Sequence, residues 1–185
     1  MAARGVNIRV GAQHTDACRA LNPTGLGPTL GIEGHGIGQS LAIIDRLERL
    51  QSEPPLWPAD GAARGSSLEI ACLVACDIHP LNNLRVLKQL TGPLALSDAQ
   101  KHAWYAHWIT TGFDALELLL LASGDGCVGS APTLADVCLV PQVANARRMA
   151  IDLEPWPRIR RIHAQRLMHA AMAQAATKLQ PDHTA

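Results

Sequence analysis

The chain has 185 residues, 48% of them hydrophobic, and no net formal charge, so it can build the core of one large domain or two small ones. Because Lys plus Arg and Asp plus Glu both number 16, nucleic-acid and membrane-surface partners, which need a basic face, are not expected. No apolar run reaches membrane-spanning length, and Met1–Val10 lacks the apolar region of a secretory signal. Five cysteines without zinc-like spacing predict free thiols, no metal site and a cytoplasmic protein.

The first part of the chain combines short strands with short helices. Val6–Val10 alternates apolar and polar residues and predicts a strand, and Asp16–Leu21 predicts a short helix. Pro28 begins another strand, and the turn Gly34–Gly36 leads into a further one. In the segment that begins at Ser40, apolar residues share one helical face, and Ser40 is the expected N-cap.

After an extended linker at Ser52–Pro58, the chain is predicted to be entirely helical. The predicted long helices are Leu68–Leu90, Ser97–Leu121, Thr133–Met149 and Pro157–Lys178. Pro80 must kink or divide the first of them, and Pro141 must bend the third. Thr133 and Asp136 read as a capping-box-type start with a structural role. The predicted class is therefore α+β, with a small α/β domain at residues 1–54 and an all-helical domain at residues 62–185.

A first segment with a family resemblance surrounds the predicted strands. It consists of Asn22-Pro-Thr-Gly-Leu-Gly-Pro-Thr-Leu30 followed by Gln39-Ser-Leu-Ala-Ile-Ile44. It resembles the glutathione site of the glutathione transferases. The resemblance implies a cis bond before Pro28, backbone pairing of Gly27 with the cysteinyl part of glutathione, and binding of the γ-glutamyl carboxylate by Gln39 and Ser40. A helix start suits such an anion, although Ser40 as a plain cap and Pro28 as a plain strand start remain the alternative.

A second segment, Ala75-Cys-Asp-Ile-His-Pro-Leu-Asn-Asn-Leu-Arg-Val-Leu87, resembles the substrate-facing helix of the zeta class, the maleylacetoacetate isomerase family. His79, Asn83 and Arg85 lie within two turns and are candidate substrate-binding residues, with a purely structural histidine as the alternative for His79. An arginine suits a dicarboxylate because its guanidinium grips carboxylates bidentately. Maleylpyruvate isomerase has a second arginine where this chain has Leu84, so the resemblance favours maleylacetoacetate.

A third segment, Pro132–Arg148, resembles the capping-box helix of the transferases, and its Leu139–Val143 stretch resembles the zeta version. Arg148 matches the family arginine proposed to bind a substrate carboxylate, and Arg147 is the less favoured neighbour. The final stretch Gln180–Asp182 also matches the family tail.

The resemblance implies glutathione-dependent isomerisation of maleylacetoacetate to fumarylacetoacetate in the catabolism of tyrosine and phenylalanine. The glutathione thiolate adds to the conjugated alkene, the former double bond rotates, and the thiolate leaves again. The resemblance also implies a homodimer and a thioredoxin-like first domain.

One part of the family pattern has no match in the sequence. Val6–Val10 reads as the second strand of the thioredoxin-like domain, so the first strand, the first helix and the serine-rich turn that stabilises the thiolate are expected to be missing. No catalytic residue is identified. The open alternatives are an isomerase whose start is assigned too late or a truncated copy, an inactive binding or dimerisation relative, and a maleylpyruvate isomerase or general glutathione transferase.

Overall fold

The computed structural model describes residues 4–122, 124–176 and 179–180. The chain divides into two compact units, one reaching to Pro54 and joined by Gln180, and one spanning Pro55–Leu179. The first unit contains the described strands, and the second is helical. The predicted α+β class is therefore confirmed. The segments Pro181–Asp182 and Thr177–Lys178, which entered the predictions, lie outside the described residues.

The first unit is built on an antiparallel hairpin. Its elements are α1 (Asp16–Leu21), β1 (Thr29–Ile32), β2 (His35–Gly38) and α2 (Ser40–Leu50). The turn residues Glu33 and Gly34 have φ of 50° and 79°, as a two-residue hairpin turn that follows the twist of its strands requires. Gly36 packs against the end of α1, where an added Cβ would lie 1.8 Å from the carbonyl oxygen of Leu21. The predictions of α1 and the two strands are confirmed, whereas the turn lies at Glu33 and Gly34 and the predicted turn residues His35 and Gly36 belong to β2.

The predicted strand at Val6–Val10 is wrong. The stretch Ile8–Val10 forms a 3₁₀ turn, and the side chain of Asn7 accepts a hydrogen bond from the Arg9 N–H at 3.0 Å. In the part of this unit that the structure describes, the sheet consists of β1 and β2 alone. The turn satisfies some of the backbone groups of this stretch locally.

The expectation that Ser40 is the N-cap of α2 is also wrong. The carbonyl of Gln39 accepts the first helical hydrogen bond, from the Ile43 N–H at 3.0 Å. Gln39 itself has φ 70° and ψ 121°, outside the helical region. Since the N-cap is the non-helical residue whose carbonyl accepts the first bond, Gln39 is the cap and Ser40 is the first helical residue.

The second unit contains six α-helices in its described residues. They are α3 (Gly61–Cys72), α4 (Leu84–Thr91), α5 (Asp98–Leu119), α6 (Leu134–Arg148), α7 (Pro157–Leu167) and α8 (Ala170–Gln174). A π-helical turn at Leu73–Ile78 and a 3₁₀ turn at His79–Asn82 join α3 to α4. Pro80 therefore divides the predicted Leu68–Leu90 helix, because proline has no N–H to continue the α-helical bonding.

The helix predicted at Pro157–Lys178 is not continuous. It ends at Leu167, and α8 begins after His169, whose ψ of 125° is extended. Neither glycine nor proline marks this break in the sequence, so the helix predicted from the sequence pattern was too long. The predicted helices at Ser97–Leu121 and Thr133–Met149 are confirmed as α5 and α6.

The core of the second unit is formed by α3, α5, α6 and α7. Its largest fully buried side chains include Tyr105, Phe113, Leu116, Leu134, Leu139, Val143, Ile159 and Ile162. Gly112 lets the π-helical turn approach α5 closely, since an added Cβ would lie 2.3 Å from the side chain of Ile78. No helix within the described ranges has the length and apolar content to cross a membrane.

Candidate functional site

The N-terminal end of α6 is closed by a buried carboxylate. Asp136, which is 0% exposed, accepts the Thr133 N–H at 2.8 Å and the Thr133 hydroxyl at 2.9 Å. Its second oxygen accepts the Cys127 N–H at 2.9 Å and the Arg166 Nε at 2.8 Å. Every one of these donors belongs to the protein, so Asp136 is structural, as the capping-box pattern indicates.

Arg166, from α7, completes this cluster and was missed by the sequence reading. It is buried, and its two remaining nitrogens donate to the carbonyls of Ser130 and Ala131, each at 2.9 Å. Gly126 makes room for the guanidinium, since an added Cβ would lie 1.7 Å from Nη2. No local pattern signals the Asp136–Arg166 pair, because the two residues are on different helices.

The C-terminal end of α6 presents an arginine in a different state. Arg148 is exposed, and its Nη2 donates to Asn145 Oδ1 at 3.4 Å. Arg148 also opposes the rise in the pKa of Tyr105 that burial causes. Among the ion pairs of the described residues, none involves Arg148. No described carboxylate balances its charge, and its acceptor Asn145 is neutral, so the guanidinium is available to a ligand carboxylate.

Tyr105 and its neighbour Trp104 bind the turn that precedes α4. The Tyr105 carbonyl accepts the Asn82 Nδ2 at 3.3 Å, and Trp104 donates its Nε1 to the Leu81 carbonyl at 2.8 Å. These bonds hold the His79–Asn82 turn against α5. The turn is therefore bonded to α5 at the buried Tyr105, a residue that the sequence did not single out.

The three candidate substrate-binding residues near this turn differ in their exposure and hydrogen bonding. His79 begins the 3₁₀ turn; partial desolvation of its ring lowers its pKa, although the residue as a whole is exposed. Asn83 caps α4, its Oδ1 accepting the Arg85 N–H at 3.2 Å, so its amide NH₂ remains for a ligand. The Arg85 side chain is exposed and forms no ion pair with any described residue. No described hydrogen bond joins it to Arg148.

The candidate residues of the first unit lie on the hairpin and on α2. The Gly27–Pro28 bond is cis, and both residues are exposed. Gln39 and Ser40 are exposed at the start of α2, where the first backbone N–H groups have no helical acceptors. Within the described ranges, no group of His, Cys, Asp and Glu side chains is arranged to hold a metal ion.

Asn22 organises the loop before Pro28. It is buried, and its Nδ2 donates to the Leu26 carbonyl at 2.7 Å and to the Thr29 hydroxyl at 3.1 Å. Its Oδ1 accepts the Thr24 hydroxyl at 2.8 Å. The loop that carries Gly27 and Pro28 is therefore held at both ends by one amide side chain.

Comparison with known proteins identifies the class. No family model matches the chain. A probable maleylacetoacetate isomerase of Vibrio cholerae is 45% identical over 174 residues, which is 93% of this chain and 80% of that protein. The holo structure of maleylpyruvate isomerase, a bacterial zeta-class glutathione S-transferase, superposes with a TM-score of 0.93 at 41% identity, covering 97% of this chain and 86% of that one.

A maleylacetoacetate isomerase from Methylobacterium extorquens superposes equally well, with a TM-score of 0.93 at 33% identity over 98% of this chain and 87% of that one. The predicted fold, a thioredoxin-like domain followed by the helical domain of the glutathione transferases, is confirmed. The chain belongs to the zeta class of glutathione transferases, the maleylacetoacetate isomerase family.

Proposed function

We propose that this chain catalyses the glutathione-dependent cis–trans isomerisation of maleylacetoacetate to fumarylacetoacetate in aromatic amino-acid catabolism. The observation that supports this substrate class most directly is Arg148, an exposed cation whose hydrogen-bond acceptor, Asn145, is neutral and which forms no ion pair within the described residues. The chemistry of such a group is that of a carboxylate clamp, since a guanidinium binds a carboxylate through two parallel N–H donors.

The other proposed substrate-binding residues lie in or just after the turn that is bonded to α5. The exposed Arg85 is proposed to bind the second carboxylate of the dicarboxylate, and the free amide NH₂ of Asn83 to donate to a substrate oxygen. Because partial desolvation lowers the pKa of His79, its ring is neutral at pH 7 and available as a hydrogen-bonding or proton-accepting group. Arginine donors placed near a developing enolate stabilise its negative charge.

The cofactor half is proposed for the first unit, and the residues there fit glutathione. The Ser40 N–H and hydroxyl stand at the start of an eleven-residue helix, where a γ-glutamyl carboxylate is favoured. Gln39 would donate its side-chain amide to the same carboxylate, and the backbone of Gly27, before cis Pro28, would pair with the cysteinyl part. When bound, glutathione supplies the thiol nucleophile for reversible addition to a conjugated alkene. The Methylobacterium relative was solved with glutathione and malonate bound.

The proposal includes a division of labour, with residues 1–54 binding glutathione and residues 62–185 binding the dicarboxylate. It also includes a cytoplasmic homodimer, which the family resemblance supports and sedimentation of the purified chain would test. We assign no residue of this chain to stabilisation of the glutathione thiolate.

The test is retention on immobilised glutathione together with turnover of maleylacetoacetate by the purified 185-residue chain. Arg148→Ala should raise the KM for the maleyl substrate by roughly 10- to 100-fold, the range for loss of hydrogen bonds to a charged group. The matched control is Arg147→Ala, an exposed arginine one residue away on α6, which should leave the KM within about twofold. Equal KM values in the two variants would remove Arg148 as the clamp.

Maleylpyruvate isomerisation is the second candidate, because the chain superposes on the maleylpyruvate isomerase as well as on the maleylacetoacetate isomerase. Leu84 at the start of α4 favours the first candidate. The ratio of kcat/KM for the two maleyl substrates decides between them. Binding of glutathione without turnover of either would indicate an inactive relative, and turnover of a chloro-aromatic electrophile alone would indicate a general transferase.

A further inference from the structure

The C-terminal end of α6, which carries Arg148, is tied to α5 by one side chain. His102 Nε2 lies 3.0 Å from the Met149 carbonyl oxygen, and Met149 is the C-cap of α6. We propose that His102 is a positioning residue, whose hydrogen bond fixes the last turn of α6 and with it the direction in which Arg148 meets the substrate carboxylate. This inference rests on the proposed role of Arg148 as the carboxylate clamp.

The direction of this hydrogen bond follows from its acceptor. A carbonyl oxygen only accepts, so the Nε2 of His102 carries the proton and donates it. The carbonyls at the C-terminal end of a helix have no N–H donor from a following turn, so that of Met149 needs a donor from elsewhere. The donor belongs to α5, 47 residues away in the chain. The bond therefore fixes the end of α6 relative to a different element.

The same helix end is closed by a tight turn. The Ile151 N–H donates to the Ala146 carbonyl at 3.1 Å, and the Ala150 N–H donates to the Arg147 carbonyl at 3.0 Å; these are the two bonds of a Schellman motif. Ala150 has φ 55°, in the left-handed region where glycine is usual and a Cβ is crowded. A residue stays in this region only when its surroundings hold it there. The bond from His102 to the preceding residue is one such restraint.

Arg148 immediately precedes the bonded carbonyl. Its guanidinium donates to Asn145 Oδ1 at 3.4 Å, which is longer than the usual range for an N–H···O bond. Asn145 belongs to the same helix, so this bond moves with the helix end. A long exposed side chain on an unrestrained helix end samples many directions, and ordering it at binding costs affinity. His102 removes the backbone part of that cost before the substrate arrives.

The exposure of His102 separates positioning from folding. The residue is exposed, and a hydrogen bond that water can replace contributes little to the free energy of unfolding. The second unit is held together by its buried apolar core. Loss of the His102 bond should therefore loosen the end of α6 while the urea midpoint of the chain stays unchanged.

The experiment is His102→Ala, with His102→Gln as the variant that keeps the bond. The terminal amide nitrogen of glutamine has the reach of Nε2 and can donate to the same carbonyl. His102→Ala should raise the KM for the maleyl substrate by roughly two- to tenfold, the cost of ordering one long side chain. It should weaken calorimetric binding of maleate, a cis-dicarboxylate, to the same extent. Because only substrate binding is affected, kcat should stay within about twofold, and His102→Gln should restore most of the loss.

A control variant and a double-mutant cycle separate positioning from general disturbance. Thr110→Ala, at an exposed position further along α5, should leave maleate affinity within about 1.5-fold. In an Arg148→Ala background, His102→Ala should change maleate affinity by less than about 1.5-fold, because the group that it positions is absent. An undiminished effect in that background, a failure of His102→Gln to restore binding, or a marked fall in the urea midpoint of His102→Ala would overturn the inference.

The outcomes also distinguish this inference from the proposed function. If Arg148→Ala weakens maleate binding but His102→Ala does not, the clamp stands and the positioning role fails. If Arg148→Ala binds maleate as tightly as Arg147→Ala, the clamp itself fails and the positioning role fails with it.

Discussion

The two ends of α6 each hold an arginine, and the two arginines are in opposite states. At the N-terminal end, Arg166 is 4% exposed and bonded to Asp136 and to two carbonyls. At the C-terminal end, Arg148 is exposed and bonded to one neutral side chain, Asn145. The difference teaches that the charge of the partners decides whether an arginine holds the fold together or remains available to a ligand.

The largest expected difference between the two ends of α6 is in how much each contributes to the free energy of unfolding. Asp136→Ala leaves the Arg166 guanidinium buried without its carboxylate, which costs about 3–5 kcal/mol of unfolding free energy. Arg148→Ala removes an exposed side chain and should change that free energy by less than about 0.5 kcal/mol. Urea unfolding of the two variants measures both, and similar shifts would contradict the assignment of the two ends.

A second variant controls for the loss of packing at the buried end. In Asp136→Ala combined with Arg166→Met, neither charge remains, so the unpaired-cation penalty disappears and part of the lost stability should return. If the double variant is less stable than Asp136→Ala alone, the pair contributes through something other than charge.

His163, on α7, makes the second unit sensitive to acid. It is 3% exposed, and burial together with the nearby Arg147 lowers its pKa to about 4. Because the folded pKa lies below the unfolded value near 6.5, its contribution to stability is complete above pH 6.5. It is lost as the pH falls from 6.5 towards 4, at up to about 1.4 kcal/mol per pH unit.

The urea midpoint of the wild-type chain should therefore fall between pH 7 and pH 4.5 more steeply than that of His163→Gln. Arg147→Ala should lessen the difference, since Arg147 is one cause of the low pKa. Parallel pH profiles for the wild type and His163→Gln would show that His163 titrates normally in the folded chain.

Gly126 offers a smaller test of the buried cluster. An added Cβ would lie 1.7 Å from Arg166 Nη2 and 2.9 Å from the Gly129 carbonyl oxygen, so Gly126→Ala must displace a bonded guanidinium. The expected loss is about 1–3 kcal/mol of unfolding free energy. The control is Gly65→Ala within α3, where no atom lies within 4 Å of the new Cβ and alanine favours the helix. A silent Gly126→Ala would mean that the cluster tolerates movement.

The reactivity of the cysteine thiols tests the packing of the buried end without a measurement of stability. Cys76 is exposed, whereas Cys127 and Cys138 are buried. Burial raises the pKa of Cys138 to about 12 and also raises the pKa of Cys127. Alkylation followed by mass spectrometry should therefore modify Cys76 before Cys127 and Cys138. Asp136 accepts the Cys127 N–H at 2.9 Å. Asp136→Ala should therefore accelerate the alkylation of Cys127 and leave that of Cys76 unchanged. Equal rates at Cys76 and Cys127 in the wild type would contradict the packing of the buried end.

The sequence by itself determined the features that depend on neighbouring residues. Thr133 and Asp136 are three residues apart and predicted the start of α6, Pro80 predicted the division before α4, and Gly34 predicted the hairpin turn. The family resemblance added the class, because the segments around Pro28 and Arg148 match it together. Local hydrogen bonds and torsional limits act between residues that are close together in the chain, so the sequence alone can predict them.

Only the tertiary structure decided the features in which distant residues meet. A 3₁₀ turn at Ile8–Val10 stands where the alternation of the sequence predicts a strand. Asp136 and Arg166 meet through packing between α6 and α7. The carboxylate makes Arg166 structural, whereas Arg148 has a neutral acceptor and remains available to a ligand, because the interaction between two groups depends on their distance in space and on the exclusion of water.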